Sequence, residues 1–177
     1  MIRNRLSALA LFAPLVTVAL AASAHAADSC QTVFDALTKV VTTPSHSYTT
    51  RTAAFVNGGK PTESETIYAD GKVYIRGRGR WMQSPVTPAE VLDQEKENRE
   101  HGKATCQFLR NEFVGAEPAA VYSMHRETEN FKEDEQIWIS KVTGRALRDE
   151  QDMDVGGKGG KDHRSARFEY GNIRPPM

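Results

Sequence analysis

The sequence lacks an excess of charge of either sign. It contains 23 lysines and arginines against 23 aspartates and glutamates. The first 26 residues hold two arginines and no acidic residue, so their removal would leave 21 basic and 23 acidic residues and a net charge of −2. A near-neutral protein has no field that concentrates nucleic acid or anionic lipid around it. We therefore expect no nucleic-acid partner, and contact with a membrane that is peripheral at most.

A long apolar run is also missing, except near the N-terminus. Two arginines precede an apolar stretch over residues 6–22, and alanines flanking a histidine at residues 24–26 then provide a small-residue cleavage site. This order is typical of a secretory signal peptide, whereas a membrane span would be longer and would not carry Pro14. We predict a signal peptide over residues 1–26 and a soluble periplasmic protein of one domain over residues 27–177.

Cysteine is almost absent. Cys30 and Cys106 both lie in the predicted mature chain, and an even pair in an exported protein indicates a disulfide. Closing so long a loop would stabilise the fold by roughly 4 kcal/mol. The alternative is a lipid-modified Cys30 at a new N-terminus. Against it, Asp28 stands where that signal needs a small or apolar residue, and Cys106 would be left single, so we predict the disulfide.

Catalytic and metal-binding motifs are lacking as well. No HExxH or CxxC pattern accompanies the histidines beyond the leader, and no GxSxG nucleophile motif occurs. The glycine-rich stretch at residues 156–161 is followed by Asp162 instead of the Ser or Thr of a phosphate-binding loop. His125 and Glu127 share a strand face without an evident third partner. We predict no metal site, no cofactor and no enzymatic activity; an enzyme with an enclosed acid–base pair remains the third hypothesis.

Two helices are present in the pattern. Residues 28–43 begin at a capping residue, Asp28 or Ser29, and end near Pro44. A second helix over residues 87–102 opens with a Thr-Pro-Ala-Glu capping box and is almost wholly polar, which is typical of a helix at a surface or over an opening. The first helix carries one apolar stripe at three- and four-residue spacing: Cys30, Val33, Phe34, Leu37, Val40 and Val41.

The remaining chain alternates strand-like stretches with turns. Asp70-Gly71 suits the tip of a tight hairpin, and Gly144 suits the left-handed position of another. The pattern predicts about four strands between the helices and about five after them, joined by short links. Such links favour an antiparallel sheet with the helices on one side, which is an α+β fold.

Two groups of residues are candidates for binding. Arg76, Arg78 and Arg80 form a dense basic cluster, which could contact an anion or a partner, or could simply keep an edge strand soluble. Strand alternation places Ile137 and Ile139 on one face of a hairpin and Trp138 on the other. It also places Leu147 and Arg148 on opposite faces. Apolar area on both faces fits either a thick core or a pocket, and the residues we predict to line that pocket are Tyr74, Trp81, Tyr122, Trp138 and Leu147.

Several short motifs occur in a recognisable order: Gly115 before Val121-Tyr122, then Ile137-Trp138-Ile139, then Gly144 before Ala146-Leu147-Arg148. Over most of the mature chain this order resembles the LolA/LolB-like superfamily of periplasmic lipoprotein carriers. The resemblance implies a strongly curved antiparallel half-barrel whose concave side is covered by helices and holds acyl chains or partner proteins without catalysis.

The expected function is therefore that of a periplasmic, non-enzymatic binding protein. It would hold a lipophilic ligand or a lipid-modified partner in the concave face of the half-barrel. The second helix is too polar to be the apolar lid of a lipoprotein carrier, so the prediction is not narrowed to lipoproteins. The alternative is a protein-interaction module, such as a periplasmic inhibitor or an envelope-stress partner, without a small-molecule ligand.

Overall fold

The structure is a computed structural model in which a defined part of the chain is described. Most of the predicted signal peptide, residues 1–20, lies outside that part, as does Arg78 of the basic cluster. Among the described helices, none has the length and apolar character needed to cross a membrane. The described residues are 21–53, 56–77, 79–129, 131–154 and 160–176, with side chains described from Ser29 onward.

Two α-helices, nine strands and one 3-10 turn at Asn57–Gly59 make up the described chain. The four strands that precede the second helix and the five that follow it agree with the predicted count. In chain order the elements are α1 (Ala21–Thr42), β1 (Ser45–Ala53), β2 (Thr62–Ala69), β3 (Lys72–Gly77), β4 (Arg80–Gln83), α2 (Pro88–His101), β5 (Lys103–Val114), β6 (Glu117–Glu127), β7 (Lys132–Ser140), β8 (Ala146–Asp154) and β9 (Lys161–Tyr170).

All nine strands belong to one antiparallel sheet in the order β4-β3-β2-β1-β9-β8-β7-β6-β5. The sheet is open, since β4 and β5 form its two edges within the described chain. Both helices lie on one side of it. The predicted fold class, an α+β fold with a half-barrel sheet and helices over one face, is confirmed.

Helix α1 packs its apolar stripe against the sheet. Val33 and Ala36 are fully buried and Val40 nearly so, as the three- and four-residue spacing requires. The helix ends at Thr42, two residues before Pro44, as predicted. The predicted start is wrong: the helix begins at Ala21, and not after a capping residue at position 28 or 29. The residues before that position are rich in alanine, which is the strongest helix former, and the uncleaved chain continues the helix through them.

The face of the sheet against which α1 packs is called the inner face, and the opposite one the outer face. Met124, Ile137 and Ile139 lie on the inner face and form the main core with the helix stripe. The predicted disulfide is confirmed: Cys30 on α1 is bonded to Cys106 on β5, with the two Cα atoms 4.9 Å apart. It fixes the helix to one edge of the sheet.

The hairpin that contains Trp138 is partly as predicted. Ile137 and Ile139 lie on the inner face and Trp138 on the outer face. However, the pairing of β7 with β8 shifts register between Trp138 and Ile139. Because this irregularity adds a residue to β8, Leu147 packs beside the Trp138 ring, while the Arg148 guanidinium lies over the same ring at 4.6 Å. The predicted alternation of Leu147 with Arg148 across the sheet is therefore wrong.

Helix α2 begins with the predicted capping box. The Glu90 backbone N–H donates to the Thr87 hydroxyl, and the Thr87 backbone N–H donates to the Glu90 carboxylate at 2.7 Å. No residue of α2, all of which is described, is buried. Polar contacts place it over the inner face: Glu95 pairs with Arg126 on β6, and the Arg99 guanidinium lies 4.8 Å above the Phe34 ring of α1.

Candidate functional site

A cavity of about 730 Å³ lies between the inner face and the two helices. Side chains from α1, α2 and six strands of the sheet line it, and it is partly open to solvent. Its volume falls within the roughly 300–1,000 Å³ of typical small-molecule sites. The described residues of the core and of the two helices leave this space beside the inner face unfilled.

One part of this cavity is apolar. Helix α1 presents Leu37, Val40 and Val41 to it, because these residues continue the stripe that forms the core. Helix α2 adds the few apolar residues of its first turns, and the sheet adds others from β2 and β9. The apolar residues lining the cavity are Leu37, Val40, Val41, Tyr68, Val86, Val91, Leu92, Ala166 and Phe168.

The floor of the cavity is charged. Glu133 and Glu135 on β7 and Asp149 on β8 lie on the inner face, where they are 1%, 3% and 0% exposed. These three residues are called the carboxyl cluster below. Arg126 and Arg164 reach the cluster from the flanking strands β6 and β9. Charges this deeply buried are rare unless they are paired.

Arg126 is the most connected residue of the floor. Its Nε and Nη2 donate to Oε2 of Glu133 at 2.9 and 2.7 Å, and its Nη1 donates to both carboxylate oxygens of Glu95. The Arg126 side chain is only 9% exposed. Burial raises the pKa of Glu133, against the opposing effect of the Arg126 charge.

The other half of the floor is an arginine and two adjoining carboxyl groups. Arg164 Nη2 donates to Oδ2 of Asp149 at 2.6 Å, and the Glu135 carboxyl group adjoins Asp149. Burial and the neighbouring charges of Asp149 and Glu133 raise the pKa of Glu135 well above its ordinary value. Burial also raises the pKa of Asp149, although Arg164 opposes this. Glu135 is therefore the group of the cluster that holds a proton most strongly.

Several polar atoms of the floor find no hydrogen-bond partner among the described residues. They are one oxygen of each carboxyl group in the cluster, namely Oε1 of Glu133, Oε1 of Glu135 and Oδ1 of Asp149, together with Nε of Arg164. The two arginines contact the opposite oxygens of Glu133 and Asp149. Buried polar groups in proteins are nearly always hydrogen-bonded, so three such acceptors at the base of one cavity require an explanation.

None of the five residues predicted to line a pocket lines this cavity. Trp138 and Leu147 pack with Ala119 and Val121 on the outer face. Tyr74 and Trp81 belong to a separate outer-face cluster near the β4 edge. Tyr122 lies on the inner face, but it packs against the α1 core and stands edge-on to Phe108.

The predicted basic cluster is only partly a free surface. Arg76 pairs with Glu65 on the neighbouring strand at 2.8 Å, whereas Arg80 is exposed at the start of the edge strand β4. Both lie far along the sheet from the disulfide edge, because β3 and β4 occupy the opposite end of the strand order. An anion or partner contact here stays a prediction.

The residues considered for acid–base chemistry lie on the outer face. His125 Nδ1 is 2.8 Å from Asp134, and both side chains are well exposed; Glu127 pairs with Lys132. His125 and Asp134 border a second depression, of about 660 Å³. No group of three or more potential ligand residues in the described chain could hold a metal ion.

The sequence contains a signal for the cavity floor that the prediction of pocket residues missed. Every second residue of β7 points to the same face of the sheet. The two glutamates, Glu133 and Glu135, therefore share a face with Ile137 and Ile139. Once the isoleucines are assigned to the core, the glutamates follow them onto the same face. The prediction of a pocket was based on apolar and mainly aromatic residues, and it therefore left out both glutamates.

No protein-family model matches the chain, and the search of curated proteins gives no match. Among solved structures, the chain is similar to LprF from Mycobacterium bovis, with a TM-score of 0.42 and 9% identity over 85% of this chain and 98% of that one. It is also similar to MucB in a complex with MucA(peri), with a TM-score of 0.41 and 13% identity over 84% of this chain and 58% of that one.

A third similar structure is that of a LolA superfamily protein from Nitrosomonas europaea. Its TM-score is 0.30 and its identity 9%, over 84% of this chain and 95% of that one. This structure is of a protein from the superfamily that the sequence resembles. Because these superpositions are loose, no ligand, partner or activity is carried over from these proteins.

Proposed function

We propose that this chain is an exported, non-catalytic binding protein that holds a lipophilic ligand, or the lipid of a modified partner, in the inner-face cavity. The observation that carries the proposal is the cavity itself, about 730 Å³ of space between the sheet and two helices, with apolar residues of both helices along its walls. If the apolar stripe of α1 packed only against the core, close packing would leave no space of this size beside it.

The energetics favour a guest with an apolar chain. Each buried CH₂ group contributes about 0.8 kcal/mol, so a chain of medium length gains several kcal/mol against the cost of ordering it on binding. Leu37 and Val41 of α1 and Leu92 of α2 supply walls for such a chain. The charged floor lies at the other side of the same space, so the guest that fits both parts is amphiphilic.

Export belongs to the proposal. Removal of residues 1–26 would shorten α1 and make Cys30 the fourth residue of the mature chain. The disulfide to Cys106 would then hold the shortened helix on the sheet. We expect the intact mass of the periplasmic protein to correspond to a chain that begins at Ala27. An unprocessed mass in the membrane fraction would contradict this part of the proposal.

A matched pair of variants tests where the guest binds. Thr49 lines the cavity, while its neighbour Thr50 projects from the opposite face of the same strand, β1. We expect Thr49→Phe to fill the cavity and to weaken the binding of an apolar fluorescent dye and of decanol. Thr50→Phe adds the same ring to the same strand and should leave both affinities unchanged. Equal effects of the two substitutions, or no binding by the wild type, would contradict the proposal.

One observation favours a protein-interaction module as the second candidate. β5 is an edge strand of twelve residues and exposes Phe108, Leu109 and Phe113, the last to 69%. A long apolar edge can accept a strand from another protein. We expect a partner that docks there to be captured from periplasmic extract by the wild type and lost with Phe113→Lys. If charge reversal at Arg76 and Arg80 removes the partner instead, the basic cluster is the docking site.

A further inference from the structure

The carboxyl cluster offers hydrogen-bond acceptors that the protein does not use. Oε1 of Glu133, Oε1 of Glu135 and Oδ1 of Asp149 are all buried at the cavity floor without a partner among the described residues. Leaving a buried acceptor unpaired is costly. Three of them in one place are explained when the natural occupant of the cavity supplies donors.

The charged residues that line the cavity also indicate an occupant that supplies hydrogen-bond donors. Five carboxyl side chains face the cavity, from Glu90 and Glu95 of α2 and from the cluster, against two arginines, Arg126 and Arg164. Among the described residues, Tyr68 of β2 is the remaining titratable side chain of the lining, and the described side chains of α1 that line the cavity are uncharged. Both arginines are already engaged with carboxylates. The site is therefore complementary to a cation and not to an anion.

A metal ion does not fit this description, because no group of potential ligands in the described chain is arranged to hold one. An organic cation fits better. An ammonium group has three N–H donors and no acceptor, which matches the three unpaired acceptors of the cluster. The apolar residues of α1 and α2 across the cavity would then contact the rest of the ligand.

We propose that the ligand is a cationic amphiphile, whose primary ammonium head binds the carboxyl cluster of Glu133, Glu135 and Asp149 while its alkyl chain lies along the α1 and α2 walls. This inference rests on the proposed function and names the class of ligand for the same cavity. Glu135 is the central acceptor, since its carboxyl group adjoins Asp149 and no arginine contacts it directly in the described structure.

A set of ligands with one tail and three heads separates this inference from the proposed function. Decylamine, decanol and decanoate are titrated into the wild-type protein by calorimetry, each below its critical micelle concentration. Because hydrogen bonds to a charged group are stronger than those to a neutral one, we expect the amine to bind about tenfold or more tightly than the alcohol. The carboxylate should bind least.

The outcomes are distinguishable. If none of the three ligands binds, the proposed function fails. If all three bind with equal affinity, the cavity holds alkyl chains but the inference about the head is wrong. Tightest binding of decanoate would assign the head to Arg126 and Arg164 and would overturn the inference as well.

Glu135→Gln tests the site of the head. At a pH above the raised pKa of Glu135, the amide keeps the size of the side chain but removes its negative charge. We therefore expect about a tenfold loss of decylamine affinity at that pH and little change for decanol. Glu63→Gln, at an exposed position on the outer face of β2, makes the same chemical change to the net charge and is the matched control. Unchanged amine affinity in folded Glu135→Gln protein would overturn the assignment.

The pH profile of the wild-type protein gives a test that needs no variant. Amine binding requires the cluster to carry negative charge, and the pKa of Glu135 is raised by its burial. We expect decylamine affinity to rise with pH as Glu135 loses its proton, while decanol affinity stays flat; Glu135→Gln should reduce the slope. An amine affinity independent of pH would contradict the inference.

Discussion

Arg126 on strand β6 donates through Nη1 to both carboxylate oxygens of Glu95 on helix α2, at 2.9 and 3.1 Å. The same guanidinium holds Glu133 on β7 through its Nε and Nη2. No residue of α2 is buried, so the contact between Arg126 and Glu95 holds this helix in place of a buried apolar interface. The contact also fixes one side of the cavity. Helix α2, which partly covers the cavity, is thus held through Arg126, a residue of the cavity floor.

Replacing Arg126 should therefore have a large effect on stability. Arg126→Met leaves the buried carboxylate of Glu133 without its cation, and loss of one partner of a buried pair typically costs about 3–5 kcal/mol. We expect the free energy of unfolding, measured in urea, to fall by that amount. The double variant Arg126→Met/Glu133→Gln should recover part of the loss.

An exposed arginine provides the control for this experiment. Arg76 is 43% exposed and pairs with Glu65 on the outer face. Because surface ion pairs contribute at most about 1 kcal/mol, Arg76→Met should change the unfolding free energy by no more than that. Equal losses for the two variants would show that Arg126 has no special structural role.

Stability should depend on pH through the carboxyl cluster. Burial raises the pKa of Glu135 well above its ordinary value of 4.5. The folded state therefore binds more protons than the unfolded state between these two pKa values, and stability falls as pH rises through that window. We expect the free energy of unfolding in urea to fall as the pH rises from the ordinary carboxyl pKa of 4.5 through the raised pKa of Glu135.

Glu135→Gln isolates this contribution, because glutamine does not titrate. The decline of stability with rising pH should be shallower in this variant than in the wild type, and Glu63→Gln should match the wild type. A stability that increases steadily with pH in the wild-type protein would contradict the raised pKa.

The disulfide should be a major contribution to stability. Cys30 and Cys106 are 76 residues apart in sequence, and closing a loop of that length stabilises the folded state by about 4 kcal/mol in the chain-entropy model. We expect Cys30→Ser/Cys106→Ser to lose about that much in urea unfolding, and reductant to destabilise the wild type but not the variant. Stability unaffected by reductant would show that the bond is absent or without effect.

The outer-face cluster around Trp138 should matter for stability and not for binding. Leu147 is buried against Trp138 on the face opposite to the cavity, and a buried Leu→Ala substitution typically costs about 2–5 kcal/mol. We expect Leu147→Ala to lower the melting temperature while its decylamine and decanol affinities remain those of the wild type. Loss of binding by folded Leu147→Ala protein would restore the sequence-based assignment of Leu147 and Trp138 to the ligand site.

Local sequence patterns were sufficient for much of the fold. The Thr87–Glu90 capping box and the Asp70-Gly71 hairpin tip, whose residues have φ angles of 51° and 70°, depend on neighbouring residues alone. The disulfide followed from the presence of just two cysteines in a chain that is predicted to be exported. The faces of Ile137 and Trp138 followed from strand alternation.

The candidate site in the inner-face cavity could not be predicted from local sequence patterns. The register shift beside Trp138 moves Leu147 onto the outer face, and such a shift depends on pairing between two strands. Which face becomes concave depends on where α1 docks. The buried charges of Glu133 and Asp149 are stabilised by Arg126 and Arg164 on other strands, so their position in the interior is a tertiary effect that local polarity argues against.

Native mass spectrometry of protein purified from periplasm without detergent shows whether the inner-face cavity carries a guest. We expect the wild type and Thr50→Phe to carry an added mass that organic solvent releases, and Thr49→Phe to carry none. A bare wild-type mass, together with no uptake of an apolar dye, would contradict the account.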